Sequence, residues 1–173
     1  MKSYLITDPI YYTSNIVQFK QNLQQSLNNH KVDMICFRDK VSSNFEELAN
    51  IFIEVCKENT IKEIFINQNI NLAHKLKATG VHLTSLQFDK IKDVKNLNLK
   101  TIISCHTKEE IKKAIDLNAD YITYSPIFNT PNKGEPKGID KLKEIVKSYN
   151  TNIIALGGIV TKKQIKQIKQ INF

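Results

Sequence analysis

A regular alternation of two residue periods limits what this chain can fold into more than any other feature. Short β-branched runs recur from end to end: Tyr4–Thr7, Met34–Phe37, Ile64–Ile66, Gly80–Leu83, Thr101–Ser104, Tyr121–Tyr124 and Ile153–Leu156. Runs of this length, bounded by polar, Gly or Pro residues, read as buried strands. Helical patterns stand between them. Phe45, Leu48, Ile51, Phe52 and Val55 mark one apolar helix face. A short helix is expected around Leu72–Leu76, one through Ile111 and Ile115, one from about Ile139 to Ser148, and a last one after Thr161. Ser43–Glu46 and Thr107–Glu110 have the spacing of capping boxes, which satisfy the first free N–H groups of a helix. Strand–helix alternation implies a parallel sheet with right-handed crossovers, because parallel neighbours cannot be joined by a hairpin.

Two parallel architectures compete. A doubly wound sheet calls for a Gly-rich turn after the first strand, and the turn here is Asp8-Pro9-Ile10. A (β/α)8 barrel instead places polar residues at the C-terminal ends of many strands, where its site is assembled. Those ends read Thr7-Asp8, Arg38-Asp39-Lys40, Asn67-Gln68, His82, Ser104 and His106, Ser125-Pro126 and Gly157-Gly158. The reading is therefore an α/β chain forming a single TIM-barrel domain over residues 1–173. Only seven strand–helix units are visible. An eighth strand would begin at Ile171-Asn-Phe173, so the expectation is a C-terminally incomplete barrel lacking its eighth unit.

Composition narrows the function classes. At 173 residues and 41% hydrophobic, the chain can bury one core, and 24% charged residues suit a soluble domain. No apolar run is long enough to span a bilayer and no signal-peptide pattern precedes the first strand, so the expected location is cytoplasmic, without a membrane. The net charge of +8 comes from lysines spread over polar helix faces, as in Thr161–Lys169, not from a basic cluster with interleaved aromatics. This argues against nucleic acid and fits a small anionic substrate. Three cysteines without CxxC spacing do not make a disulfide framework.

The strand ends carry the chemistry. Arg38 is the one arginine among 25 Lys and Arg residues. Strand alternation puts Cys36, Arg38 and Lys40 on one face and Ile35 and Phe37 on the other. A planar fork beside a point charge suits a phosphate or carboxylate; the competing reading is an Arg38–Asp pair. His106 shares parity with Ser104 and can move protons near neutral pH. Its alternative role is a helix-end residue bonded to backbone. His82 reads as a structural histidine, and His30 and His74 as surface positions. Thr130 and Lys133 lie in a long loop, Ser125–Gly138, of the kind that covers a ligand. Gly157-Gly158 allows backbone N–H groups to approach an anion and should open the last helix. No clustered carboxylates or HxH pattern suggests a metal.

Taken together, Tyr4-Leu-Ile-Thr-Asp8, Phe37-Arg-Asp-Lys40, Ile66-Asn67, Gly80-Val-His-Leu83, Ser104-Cys-His-Thr107, Asp120-Tyr121, Pro126–Thr130, Lys133 and Ala155-Leu-Gly-Gly-Ile159 resemble the thiamine phosphate synthase/TenI family. The resemblance covers nearly the whole chain. It implies a TIM barrel acting on a small phosphorylated thiazole or pyrimidine, and it leaves room for a homodimer. In the synthase, a Gln-x-Arg-x-Lys strand, an Asn, a Thr-x-Thr-Lys loop and Mg²⁺ hold a diphosphate. Arg38, Lys40, Asn67, Thr130 and Lys133 match that pattern. Cys36 stands at the Gln position, Asn132 at the second Thr, and Gln68 and Gln87 at the two metal-binding Asp positions. Two amides in place of two carboxylates remove the hard anionic oxygens that Mg²⁺ needs.

The resemblance therefore points to the TenI branch, a metal-independent thiazole tautomerase with no cofactor, in which His106 transfers the proton. Arg38, Lys40, Asn67, Ser104, Thr130, Lys133, Gly157 and Gly158 would bind substrate and phosphate. The runner-up is the transferase, thiamine-phosphate diphosphorylase, joining hydroxymethylpyrimidine diphosphate and thiazole phosphate with Mg²⁺. A third reading is a non-catalytic ligand-binding or regulatory homologue.

Overall fold

The computed structural model describes residues 2–171. The strands are β1 (Tyr4–Ile6), β2 (Met34–Phe37), β3 (Glu63–Asn67), β4 (Gly80–Leu83), β5 (Lys100–Cys105), β6 (Tyr121–Tyr124) and β7 (Ile153–Ala155). The helices are α1 (Pro9–Tyr12), α2 (Ile16–Asn29), α3 (Phe45–Glu58), α4 (Ile70–Lys75), α5 (Ile91–Asn96), α6 (Lys108–Asp116), α7 (Gly138–Ser148) and α8 (Lys162–Lys169). The strands follow one another in chain order, with parallel pairing. The α/β class and the sequential order expected of a (β/α) barrel are thus both present. The expected start of an eighth strand falls mostly on Asn172 and Phe173, outside the described residues.

Two compact units divide the chain. The first comprises residues 2–82 and 93–100, and its centre is aromatic. Phe37 on β2 is fully buried and meets Phe19 of α2 (ring centroids 5.9 Å apart), Phe45 (5.0 Å) and Phe52 (5.4 Å) of α3. Phe37 therefore faces the helices, as strand parity requires. Helix α2, which the sequence reading did not delimit, has an uncharged polar stretch but buries Phe19 and Leu23 and is capped by Asn15. Gly80 is needed for space. A Cβ there would lie 2.1 Å from the Lys100 carbonyl oxygen and 2.8 Å from the Phe65 ring. The carbonyl is backbone and cannot swing away. Gly80→Ala is expected to lower stability by about 1–3 kcal/mol, as overpacking does. An unchanged denaturant midpoint would refute that account.

The second unit comprises residues 83–92 and 101 onward. It holds β5, β6 and β7 with α6, α7 and α8, and a short 3-10 turn at Phe88–Lys90. In register, Ser104 pairs with Thr123 and Cys105 with Tyr124. Ile111 and Ala114 of α6, and Leu142 and Ile145 of α7, are buried.

The helix ends correct several details. Helix α3 begins after Asn44, which makes no side-chain cap and whose amide donates to the Ser14 carbonyl. The Ser43–Glu46 box does not form. At α6, Thr107 accepts from the Glu110 N–H, but the Glu110 carboxylate accepts from the His106 N–H at 2.5 Å, one residue further back than a box requires. The complete box belongs to Thr161 and Gln164 at α8. Helices α3, α4, α5 and α6 end alike, with Ile61, Ala78, Leu99 and Ala119 donating backward to Cys56, Ala73, Val94 and Ala114. Thr60, Lys77, Asn98 and Asn118 hold the left-handed position that glycine usually takes.

Candidate active site

In the first unit the site residues gather at the C-terminal ends of β1 to β4. The Thr7 hydroxyl accepts from the Arg38 N–H (2.8 Å) and donates to the Arg38 carbonyl (3.2 Å), which fixes that backbone. The Arg38 guanidinium donates to Asp8 Oδ2 at 3.0 Å. Asp8 Oδ1 meanwhile caps α1 by accepting from the Ile10 N–H. The competing sequence reading, an Arg–Asp pair, is therefore real. Among the described residues it occupies one of the guanidinium's five N–H donors, so the fork remains open to an anion. Lys40, two residues on, is exposed. Asp39 accepts from the Val41 and Ser42 N–H groups and so shapes the following loop.

The Asn67 amide donates to the His82 carbonyl (3.1 Å), which also accepts from the Gln68 N–H (3.0 Å). His82 is buried, and its Nδ1 lies 2.8 Å from the Tyr4 hydroxyl. Burial, with the Arg38 charge adding to it, pulls the His82 imidazole down to about 4. It is neutral across the physiological range, in keeping with a structural histidine. Cys36 is fully buried against Tyr4, and burial pushes its thiol up to about 12. It offers neither a thiolate nor, unlike glutamine, an amide to a phosphate. His30 and His74 are exposed.

The second unit carries the proton-transfer candidate. His106 follows β5, and its Nδ1 lies 2.9 Å from the Ser125 carbonyl oxygen. A carbonyl only accepts, so Nδ1 carries a hydrogen, and in the neutral ring the lone pair is then on Nε2. The Ser125 hydroxyl lies 3.4 Å from the same Nδ1. Ser104 is half-buried two residues before His106, near the end of β5. Cys105 points the other way, towards α6; burial and Glu110 raise its thiol to about 12. Ser125, Glu110, Asp8 and Tyr4 were not singled out as site residues. The register that sets Ser125 beside His106 is the signal that would have found the first.

The Gly157-Gly158 turn has a structural reason as well as a chemical one. Both have positive φ, +96° and +66°. A Cβ on Gly157 would lie 2.8 Å from Pro126 Cα, and one on Gly158 would lie 2.4 Å from the Asn129 carbonyl oxygen. The 126–130 segment packs directly on this turn, with the Phe128 N–H donating to the Gly157 carbonyl. Among the described residues, neither glycine N–H has a protein acceptor. The turn does not open a helix as expected: α8 starts at Lys162, capped by Thr161. Thr130 donates its hydroxyl to the Phe128 carbonyl (2.9 Å), so it faces an anion only by breaking that bond. Lys133 is exposed.

A family model described as "Thiamine monophosphate synthase" matches residues 3–172. The chain belongs to the thiamine monophosphate synthase family. It is 32% identical over 149 residues to "Thiamine-phosphate synthase" of Pelagibacter ubique, covering 83% of this chain and 72% of that one. It is also 32% identical over 136 residues to the protein of the same name from Persephonella marina, covering 76% and 65%. Among solved structures, "Thiamine phosphate pyrophosphorylase from Pyrococcus furiosus" superposes with a TM-score of 0.81 over 98% of this chain and 81% of the other, at 22% identity. That likeness speaks to the fold, which is of the TIM-barrel type.

The Mg²⁺ that the synthase resemblance implies does not fit the residues present. At the two positions matched to metal carboxylates stand amides. Gln68 Nε2 donates to Asn67 Oδ1 (3.3 Å). Gln87 Oε1 accepts from the Thr84 N–H (3.1 Å) and hydroxyl (3.2 Å). Among the described residues no three His, Cys, Asp or Glu side chains are grouped as a metal would require.

Proposed function

We propose that this family member is a metal-independent thiazole tautomerase, isomerising a thiazole carboxylate phosphate to its aromatic form. Family membership makes it a thiamine-biosynthesis enzyme; the choice of reaction rests on one observation. His106 is fixed through Nδ1 by a backbone carbonyl and has Nε2 open as a base. In the step, Nε2 takes a proton from one carbon of the substrate, and the electron pair of that bond moves into the ring. The imidazolium returns the proton at a second carbon, so atoms and charge balance without a cofactor. In the second unit the Gly157 and Gly158 amides, Ser104, Thr130 and Lys133 offer donors to the substrate's anionic groups, and in the first unit Arg38, Lys40 and Asn67 do.

The runner-up is the synthase itself, favoured by the names of both relatives. Against it stand the amides Gln68 and Gln87, and Cys36 buried where the synthase pattern has glutamine. The test follows the thiazole carboxylate phosphate by proton NMR, with EDTA and then with Mg²⁺. The two rates should agree within about twofold, since no metal-stabilised leaving group is involved. A parallel mixture of aminopyrimidine diphosphate, thiazole phosphate and Mg²⁺ should yield no thiamine phosphate. Its formation at ordinary enzyme rates would overturn the proposal. Failure of both reactions, with the phosphates still bound, would leave the non-catalytic reading.

A further inference from the structure

Beneath the phosphate-binding residues of the first unit lies a buried polar chain that the proposed reaction does not use. Tyr4 on β1, Cys36 on β2 and His82 on β4 come together there. The Tyr4 ring also meets Phe65 edge-on, at 6.4 Å between centroids, and lies 5.8 Å from the His82 ring. The hydroxyl has one proton and two neighbours that can take it: His82 Nδ1 and the Cys36 sulfur. An imidazole nitrogen is a strong acceptor and a thiol sulfur a weak one. The thiol in turn has a proton to give, to the Tyr4 oxygen or to the Phe37 carbonyl, 3.6 Å from Sγ. The arrangement that satisfies each group best runs in one direction, from Cys36 through Tyr4 to His82 Nδ1.

We infer that Tyr4 is a positioning residue: its hydroxyl holds His82 as the neutral tautomer with hydrogen on Nε2, and so fixes the carbonyl that orients Asn67. The link to the site is direct. The His82 carbonyl receives the Asn67 amide and the Gln68 N–H. Gln68, next to Asn67, holds a positive φ of +62°, a conformation that costs a non-glycine residue energy and leaves this corner sensitive to how the His82 carbonyl is aimed. Anchoring the His82 ring at Tyr4 keeps that carbonyl aimed, and Asn67 then presents the same edge to an incoming phosphate. A neutral ring here also leaves the local positive charge to Arg38 and Lys40. The tautomer assignment stands independently of the reaction; the effect on binding rests on the proposed role of Asn67.

The experiment uses the full chain with ¹⁵N-labelled histidine. In the unsubstituted protein at pH 7, His82 should show a protonated Nε2 and a bare Nδ1. Tyr4→Phe should collapse that pattern toward the mixed tautomers of a free imidazole. Thiazole phosphate, titrated by calorimetry, should bind about three- to tenfold more weakly to this variant, the size of one neutral hydrogen bond. Cys36→Ala should leave both readouts as they are, because it removes only the upstream donor. A wild-type spectrum with hydrogen on His82 Nδ1 overturns the inference whether or not any variant folds. So does a Tyr4→Phe protein with unchanged tautomer and affinity. If thiazole phosphate fails to bind the wild type, the proposed function falls, and the tautomer spectrum still tests the Tyr4 assignment by itself.

Discussion

His106→Asn should slow isomerisation by about 10²–10⁴-fold, the usual contribution of a positioned acid–base group. The substitution is chosen for what it retains. An asparagine amide can still donate to the Ser125 carbonyl, as Nδ1 does at 2.9 Å in the native protein. The helix start is also retained, because the Glu110 carboxylate bonds the backbone N–H of residue 106 and not its ring. The only thing removed is the basic nitrogen on the far side. Thiazole carboxylate phosphate should therefore bind the variant with an affinity close to the native one, and the loss should appear in kcat with KM little changed. Turnover that is unchanged would remove His106 from the mechanism. A loss confined to KM would make it a binding residue.

Phe37→Ala should destabilise the protein by about 3–5 kcal/mol, the range for truncating a buried aromatic. Phe37 is fully buried and touches Phe19, Phe45 and Phe52, rings that come from two different helices. No single neighbour can move to fill the space without leaving another contact. In a chain of this length the thermal midpoint should fall by roughly 6–20 °C. The next residue is Arg38, so the variant should also bind inorganic phosphate more weakly than its remaining folded fraction accounts for. A midpoint shift under about 2 °C would show that the aromatic cluster is not what holds β2 against α2 and α3.

The parts of this molecule that could be read from the sequence were those with a local cause. Strand positions for β2, β4 and β6 agree to the residue, because a β-branched run between polar boundaries has few other uses. Parity assigned Phe37 to the helices and Cys36 to the opposite face for the same reason. Helices α1, α2 and α5 were not delimited. Their apolar faces are short or diluted by Asn, Gln and Lys, so burial of a few residues such as Phe19 and Leu23 defines them, not periodicity. The failed box at Ser43 shows a limit of spacing rules. The helix starts one residue later than the spacing implies, with Asn44 at the cap position and its amide bonded to the Ser14 carbonyl on another segment.

By itself the sequence determined the alternation of elements, their parallel order, the face each strand side chain takes and the candidates at the strand ends. All of these follow from side-chain chemistry within a few residues. Only the tertiary structure decided what each candidate can do. Arg38 is tied to Asp8, which lies 30 positions away, and His106 to Ser125, which lies 19 away. The first pairing leaves most of a guanidinium fork open, and the second determines which imidazole nitrogen can act as a base. A hydrogen bond sets charge and tautomer through the partner it reaches, and distance along the chain does not reveal that partner.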